Sequence, residues 1–316
     1  MINYPSTKIL GALWFSGALR AQLDMNFRFF SSNYSQIMLQ SSGHLATERP
    51  LFTLMKLILI ILLNIKKEGF FKTLYKITKY PYNKFKYNKL NKKIFSTNSI
   101  EDRFTKIFKL NYWDNKESVS GNGSDLENTK NIRHKLPQLI NQFQITSILD
   151  APCGDFYWMK YIMKNLKIKY LGGDIVTELI NENNNKYKSD IINFQKINII
   201  SDKLPNADLM ICRDCLFHFS YEDIFKFFEN FINSNIRLLL TTSHYFSDKF
   251  FFKNKNILTG DYREIDLFSE PFNFKKNYLL SIEDKVESYF LGNKFLYLFS
   301  REQISEFVKI KTSGHK

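Results

Sequence analysis

Five short apolar segments of the strand type alternate with helix-type segments between residues 147 and 242, and this alternation constrains the fold most. The predicted strands are Ser147–Asp150, Tyr170–Asp174, Phe194–Ile199, Leu209–Cys212 and Arg237–Thr242. The predicted helices between them are Phe156–Asn165, Thr177–Asn185 and Tyr221–Phe231, and a further helix, capped by Ser124 or Asp125, ends before Ile145. This order predicts an α/β, doubly wound, mostly parallel sheet whose ligand binds beyond the carboxyl ends of the strands.

The turn after the first strand reads "ILDAPCGDFYWM", from Ile148 to Met159. Asp150 ends the strand, and Gly154 permits a positive φ or a close backbone approach before the next helix. The turn lacks the G-x-G-x-x-G pattern that binds a pyrophosphate. The second strand ends in Asp174, whose carboxylate can accept both hydroxyls of a ribose. The two acids therefore indicate a nucleoside ligand that carries positive charge and no phosphates.

These residues carry a family resemblance. The segments "ILDAPCGDFYWM", "YLGGDIV", "LPNADLMICRDCLFHFS" and "LLLTT" resemble the class I S-adenosylmethionine-dependent methyltransferases, in particular a bacterial branch with an LDAPCGDF-type first motif. Upstream the resemblance includes "ESVSGNGS" and "NTKNIRHKLP", and downstream "NILTGDYREIDLFSEPFNF". It covers Trp113 to Phe274, and nothing before Asn111 takes part in it.

The resemblance implies a Rossmann-like, seven-stranded sheet that binds S-adenosyl-L-methionine over its first two strands. It places Asp150, Gly154 and Asp155 at the methionine end and Asp174 at the ribose. Asn198 stands where the family often has an adenine-binding acid, and an asparagine can also hydrogen-bond the ring. Arg133 is the expected partner of the cofactor carboxylate, although capping of a helix is the alternative role for its loop. The remaining implied cofactor contacts are Cys153, Ile175, Arg213 and Gly123.

Two side chains after the fourth strand are the candidates for acid–base chemistry. In "CRDCLFHFS", Asp214 or His218 could take a proton from a hydroxyl or amine acceptor. Histidine has the more suitable unperturbed pKa for this role. The alternatives are a capping or ribose-loop aspartate and a packed, hydrogen-bonded histidine.

The acceptor is expected to bind beyond the fifth strand. His244 in "TTSHYF" and Tyr262 and Arg263 in "NILTGDYREIDLFSEPF" are the candidate substrate-binding residues. Arg263 could hold an acceptor carboxylate or phosphate, or it could pair with Glu264 or Asp266.

Cysteine spacing offers one alternative site. Cys212 and Cys215 form C-x-x-C with His218 close by, and Cys153 lies at the end of a neighbouring strand, so four zinc ligands are conceivable. Cys153, however, stands in the cofactor turn, and Cys212 closes an apolar strand, so we predict no metal. Three cysteines are too few for a disulfide framework and fit a reducing, cytoplasmic location.

The basic character of the chain is concentrated before the sheet. The formal net charge is +14, and the segment 55–100 holds eleven lysines against one acid, Glu68. Phenylalanines and tyrosines alternate with the lysines over 66–93, as in segments that lie on an anionic membrane or hold RNA, so peripheral membrane contact through 55–93 is one interpretation. An arm that packs on its own domain or on a partner is the alternative. The apolar run Leu57–Leu63 is too short to span a membrane.

We therefore predict three segments. Residues 1–54 are an extension, either disordered or upstream of a native start at Met55, residues 55–100 are a basic aromatic arm, and residues 101–316 are the methyltransferase domain. The expected activity is methyl transfer to an oxygen or nitrogen of a small-molecule or glycan-type acceptor. Nucleic acid is disfavoured because the part after residue 100 is nearly neutral and "CRDC" replaces the motif of amino-methylating enzymes. The alternatives are a non-catalytic cofactor-binding or scaffold protein recruited by the arm to membrane or RNA, and an NAD-dependent oxidoreductase, which the missing glycine pattern disfavours.

Overall fold

The computed structural model describes residues 61, 65, 69–246, 252–284 and 293–313. The chain divides into two compact units, Met1–Tyr87 and Asn88–Lys316. The predicted extension 1–54 lies outside the described residues, so its boundary stays a prediction, as does the boundary at residue 100. Among the residues described, no helix is both long and apolar enough to cross a membrane.

The helices and strands of the described residues are numbered here in chain order. The α-helices are α1 Phe70–Ile94, α2 Ile100–Lys109, α3 Lys130–Gln142, α4 Met159–Met163, α5 Thr177–Tyr187, α6 Tyr221–Ile232 and α7 Arg301–Ser313. The strands are β1 Ser147–Asp150, β2 Lys169–Asp174, β3 Ile192–Lys196, β4 Leu209–Cys212, β5 Leu238–Tyr245, β6 Leu280–Glu283 and β7 Asn293–Ser300. Short 3₁₀ turns occupy Asn122–Ser124 and Leu216–His218.

The strands form one seven-stranded sheet in the order β3-β2-β1-β4-β5-β7-β6. The pairs from β3 to β5 are parallel, and β7 is antiparallel to both β5 and β6. The predicted fold, a Rossmann-like sheet of the class I methyltransferase type, is confirmed. The strand order reverses between β1 and β4, and such a switch point opens a crevice at the carboxyl ends of the strands.

Helix α6 illustrates why these segments fold as they do. The Ser220 side chain accepts a hydrogen bond from the Asp223 backbone N–H at 3.1 Å and so caps the helix, and two acids stand in its first turn. Its apolar residues recur at the spacing of one helical face: Ile224, Phe227, Phe228 and Phe231, all fully buried. The described residues form two buried apolar clusters, which contain alternate residues of the same strands. Leu209 and Ile211 belong to one cluster, and Met210 and Cys212 belong to the other, together with the four α6 residues.

Several predicted boundaries differ from the structure, and three of them are wrong for clear local reasons. The helix predicted from Phe156 begins at Met159, because Phe156 adopts a positive φ of 56°. The predicted third strand ends at Lys196 instead of residue 199, because the Asn198 side chain accepts a hydrogen bond from the Ile200 N–H and closes a turn.

The helix before β1 is the third case. It begins at Lys130, not directly after Ser124 or Asp125. Asp125 instead accepts a hydrogen bond from the Asn128 N–H at 2.7 Å, which forms a separate turn ahead of the helix.

Candidate functional site

An open pocket lies at the carboxyl ends of β1, β2 and β4, and its space of about 1040 Å³ includes the solvent at its mouth. Nine of the predicted site residues line it: Asp150, Cys153, Gly154, Asp174, Ile175, Asn198, Arg213, Asp214 and His218. Apolar side chains from α2 and from nearby loops complete the wall, namely Ile100, Phe104, Phe108, Trp113, Trp158, Ile197 and Phe219. The charged groups in the lining are three carboxylates and one guanidinium, so the pocket favours a cationic ligand over an anionic one.

The turn between β1 and α4 brings its backbone close to the pocket. The Cys153 N–H donates to the Gly173 carbonyl at 2.8 Å, which ties the turn to the end of β2. Gly154 has a φ of +54°, and a Cβ at this position would lie 2.2 Å from the Ser120 Oγ. Glycine meets both conditions without strain, whereas a larger residue would require the Ser120 side chain to move, so the positive φ predicted for Gly154 is present.

Asp155 holds the loop that precedes α3 against this turn. Its carboxylate accepts hydrogen bonds from the Ser118 hydroxyl at 2.9 Å and from the Val119 N–H at 3.1 Å. The Ser120 hydroxyl donates to the same carboxylate at 3.3 Å. Asp155 itself is outside the pocket lining, so it shapes the site by fixing the Ser118–Ser120 segment over Gly154.

Asp150 is 2% exposed and accepts a hydrogen bond from the Tyr170 hydroxyl at 2.8 Å. Burial raises the pKa of Asp150 to about 7, although the Tyr170 bond and the charge of Arg213 lower it. The carboxylate is therefore costly to ionise without a ligand, and a positive charge beside it would stabilise the ionised form.

Asp174 ends β2 and is 7% exposed. It accepts backbone hydrogen bonds from the Gly154 N–H at 3.2 Å and from the Val176 N–H at 3.1 Å. Burial raises the pKa of Asp174 to about 6 against the effect of these bonds. Each carboxylate oxygen retains a lone pair, so Asp174 can still accept hydrogen bonds from a diol.

Asn198 lines the pocket just beyond β3. Its side-chain carbonyl accepts from the Ile200 N–H at 3.1 Å, which orients the amide. Since the carbonyl is used in the turn, the side-chain NH₂ group is the part that can donate to a ring nitrogen of a bound base.

A buried ion network lies behind the pocket, at the ends of β4, β6 and β7. Arg213 makes two 3.0 Å hydrogen bonds to Asp284 and donates at 2.7 Å to the Gly123 carbonyl. Lys294 contacts both Asp214 oxygens at 2.9 and 2.8 Å and Asp284 at 3.2 Å. The two cations and two anions thus balance one another.

This network determines the properties of Asp214. Burial by itself raises the pKa of Asp214, but the charges of Arg213 and Lys294 outweigh it and hold the pKa below its usual value. A carboxylate stabilised in this way is a poor proton acceptor. The catalytic role predicted for Asp214 stays a prediction, and the geometry favours an electrostatic role.

His218 lies in the 3₁₀ turn after β4 and lines the pocket. Its Nδ1 is 2.8 Å from the Asp261 backbone carbonyl, which can only accept, so we assign the proton to Nδ1 and leave Nε2 with its lone pair. The ring packs against Trp113 and Phe217, with centroid distances of 5.5 and 4.6 Å. Burial lowers the pKa of His218 to about 4, so the ring is neutral at pH 7.

Arg263 fixes the turn that carries His218. Its guanidinium donates to three backbone carbonyls, those of Leu216 at 3.0 Å, Phe219 at 2.7 Å and Lys255 at 3.1 Å. No described carboxylate pairs with it. Binding of an acceptor carboxylate by Arg263, as predicted from the sequence, finds no support in this arrangement, because backbone carbonyls already use the guanidinium.

The remaining predicted residues lie outside the pocket lining. Arg133 donates to the Leu126 carbonyl at 2.7 Å, and Gly123 contributes its carbonyl to Arg213. His244 is buried in β5, with Nδ1 3.2 Å from the Ile265 carbonyl. Tyr262 is half exposed and packs against Phe217 at 5.4 Å. The roles predicted for these residues stay predictions.

The three cysteines are buried and unpaired. In the part of the chain that the structure describes, no three His, Cys, Asp or Glu side chains come together as a metal site.

Sequence reasoning missed several members of the site. Tyr170, Asp284 and Lys294 gave no signal, because each depends on a strand pairing that brings distant residues together. The α2 residues Ile100, Phe104 and Phe108 had a usable signal, since their spacing of four places them on one helical face.

No protein-family model matches this sequence, and no curated protein matches it. Among solved structures, human N-acetylserotonin methyltransferase, crystallised with S-adenosylmethionine, is 14% identical with a TM-score of 0.44. The alignment covers 67% of this chain but only 58% of the human enzyme, less than two thirds of its length. The N-methyltransferase NodS from Bradyrhizobium japonicum, crystallised with S-adenosylhomocysteine, is 11% identical with a TM-score of 0.45, over 61% of this chain and 97% of NodS. The methyltransferase domain of bacterial CtHen1 is 11% identical with a TM-score of 0.42, over 55% of this chain and 99% of that domain. At these identities and TM-scores the matches assign neither an activity nor a ligand to this chain.

Proposed function

We propose that this chain is an S-adenosyl-L-methionine-dependent methyltransferase that acts on an oxygen or nitrogen of a small-molecule or glycan-type acceptor. The observation that carries the proposal is the pair of buried strand-end carboxylates, Asp150 and Asp174, beside a glycine turn with a positive φ. A nucleoside with a positive charge and no phosphate matches this pocket, whereas a dinucleotide would find no pyrophosphate-binding turn.

The lining residues fit the parts of this cofactor. Asp174 would accept the ribose hydroxyls, and the Asn198 amide would donate to the adenine. Asp150 would balance the positive charge of the methionine end, which explains why a carboxyl with a raised pKa is kept at the centre of the pocket. The Ser118–Ser120 loop, held by Asp155, would close over this end.

When bound, the cofactor supplies an electrophilic methyl group on a sulfonium. The chain's part is to orient the acceptor and to remove its proton. His218 is suited to the second task, because the Asp261 carbonyl fixes the tautomer and leaves Nε2 unprotonated. Arg263 contributes indirectly by holding the carbonyls of the same turn.

The charges around the pocket also limit the acceptor. Arg213 and Lys294 are bound by Asp214 and Asp284, and the Arg263 guanidinium is bound by backbone carbonyls. Among the described residues that line the pocket, an anionic acceptor would therefore meet carboxylates and no available cation, which would cost binding energy. We accordingly propose a neutral or cationic acceptor, and we disfavour phosphorylated compounds and nucleic acid.

The proposal also includes the cellular location. Three buried, unpaired cysteines agree with a reducing compartment, and we propose a cytoplasmic protein.

Calorimetric titration with S-adenosylmethionine, S-adenosylhomocysteine and NAD tests the proposed cofactor. We expect the first two ligands to bind and NAD not to bind. Asp174→Asn should weaken binding at least tenfold, because a ribose hydroxyl loses a charged acceptor. Asp190→Asn, the same change at an exposed position outside the pocket, should bind like the wild type. If folded protein binds neither sulfur compound, or if both variants behave alike, the proposal fails.

A further inference from the structure

Glu264, beside the predicted substrate-binding residues Tyr262 and Arg263, has an unsatisfied carboxyl group. In the part of the chain that the structure describes, its Oε1 is the one buried side-chain oxygen or nitrogen without a hydrogen-bond partner. The neighbouring Arg263 does not supply one, because backbone carbonyls use its guanidinium. Burial raises the pKa of Glu264 to about 7. Since a buried acceptor without a donor is costly, a ligand that brings a donor and a positive charge would stabilise this group.

Glu264 lies on the same face of its segment as Tyr262. The Arg263 N–H donates to the Phe217 carbonyl at 3.1 Å, so this segment runs beside the turn that follows β4. Its buried side chains are those of Arg263 and Ile265. Tyr262 and Glu264 alternate with them and are less buried, which places both on the opposite face. Burial chiefly raises the pKa of Tyr262 to about 12, and the charge of Glu264 adds to this effect, as expected for neighbours.

Aromatic rings connect this carboxyl group with His218. The Tyr262 ring centroid is 5.8 Å from that of His218 and 5.4 Å from that of Phe217. The Trp113 ring also packs on His218, at 5.5 Å. We call Trp113, Phe217 and Tyr262 the aromatic wall. Trp113 and His218 line the cofactor pocket, so the wall extends that pocket towards Glu264.

We propose that Glu264 and the aromatic wall bind a protonated amino group of the acceptor. This site rests on the proposed function, because the adjoining pocket would hold the cofactor that methylates the acceptor. An ammonium group has three N–H donors, so it would satisfy the Glu264 Oε1 and balance the carboxylate charge. The faces of the Tyr262 and Trp113 rings would attract the same positive charge. The acceptor is therefore an amine, and Glu264 selects it.

A hydroxyl of a neutral acceptor is the competing ligand, because it could also donate to Oε1. The charges of the site favour the ammonium group. Three carboxylates line the adjoining pocket, and its one guanidinium, that of Arg213, is already paired with Asp284. Glu264 adds a further negative group when it is ionised. A cation gains from this field, whereas a neutral hydroxyl does not.

Ligand-observed NMR on protein saturated with S-adenosylhomocysteine tests the inference. The cationic probes are phenethylamine and butylamine, and the neutral probes of matching size are 2-phenylethanol and butanol. We expect each amine to bind at least tenfold more tightly than its alcohol. Glu264→Gln should weaken amine binding at least tenfold and so remove this preference. Tyr262→Leu should weaken amine binding roughly threefold through the lost ring face.

The matched control is Glu229→Gln, the same change at an exposed position of α6, which should bind the amines like the wild type. Circular dichroism establishes that each variant is folded, and the preference of the wild type for amines over alcohols does not depend on any variant. Equal binding of amines and alcohols, or equal losses in Glu264→Gln and Glu229→Gln, would overturn the inference.

Titration of the wild type with S-adenosylhomocysteine separates this inference from the proposed function. Binding of S-adenosylhomocysteine without a preference for amines would overturn the amine site and leave the proposed methyltransferase intact. No binding of S-adenosylhomocysteine by folded protein would overturn both.

Discussion

Cofactor affinity should depend steeply on pH, because the two carboxylates proposed to contact the cofactor are hard to ionise in the free protein. The pKa of Asp150 is raised to about 7 and that of Asp174 to about 6, in both cases chiefly by burial. A cationic centre near Asp150 and ribose hydroxyls at Asp174 would stabilise the ionised forms, so the pKa of each is lower in the complex. Affinity is then fully present above pH 7 and declines as the pH falls, because protons compete with the ligand.

The size of the effect follows from the ionised fractions. Between pH 7 and pH 5 the ionised fraction of a group with a pKa of 7 falls about fiftyfold, and that of a group with a pKa of 6 about tenfold. If both carboxylates must be ionised, the dissociation constant for S-adenosylhomocysteine rises several hundredfold over this range.

Calorimetric titration at half-unit steps between pH 5 and pH 8 measures this dependence. In Asp174→Asn the rise should shrink to the roughly fiftyfold contribution of Asp150, whereas Asp190→Asn should keep the full dependence. An affinity that is flat with pH in folded protein, or an unchanged slope in Asp174→Asn, would refute the role assigned to these carboxylates.

Three substitutions test other parts of the site. Asp150→Asn should raise the free energy of unfolding by roughly 1–3 kcal/mol at pH 8, since ionising a buried carboxyl whose pKa is raised by about three units costs up to about 4 kcal/mol. In urea titrations this gain should fade towards pH 4, and a variant less stable than the wild type at pH 8 would contradict the prediction. Gly154→Ala should weaken cofactor binding in calorimetry roughly tenfold or more, because the new methyl group would displace the Ser120 side chain at an unfavourable φ. Unchanged affinity would show that the turn is not constrained as described. Lys294→Met should lower the free energy of unfolding by about 3–5 kcal/mol, because Arg213 would be the single cation left to balance two buried carboxylates, Asp214 and Asp284. Lys169→Met, at an exposed strand position, should change it by less than about 0.5 kcal/mol. Equal small effects of the two substitutions in urea titrations would argue against a buried network.

Local patterns in the sequence predicted the parallel half of the fold. Strands β1 and β4 match their predicted bounds because apolar runs bounded by polar residues specify short buried strands. Asp150, Gly154 and Asp174 were predictable for the same reason, since each stands directly at a strand end or in the turn after it. Parallel strands then bring their carboxyl ends to one edge whatever the intervening loops do.

The rest of the site depends on contacts that no local pattern specifies. Lys294 reaches Asp214 because β7 pairs with β5, and Asp284 follows β6 at the far edge of the sheet. Arg263 was predicted as a substrate ligand because a free arginine near a pocket suggests anion binding. The Arg263 guanidinium instead donates to the Leu216 and Phe219 carbonyls, and these contacts form only when the segment that carries Arg263 folds against the turn after β4.

A crystal structure of the protein with S-adenosylhomocysteine would show whether the pocket binds the cofactor as proposed. The nucleoside should lie in the pocket at the ends of β1 and β2, with its ribose hydroxyls on the Asp174 carboxylate and its adenine within reach of the Asn198 amide. Well-ordered ligand bound elsewhere, or ribose hydroxyls that do not contact Asp174, would contradict it.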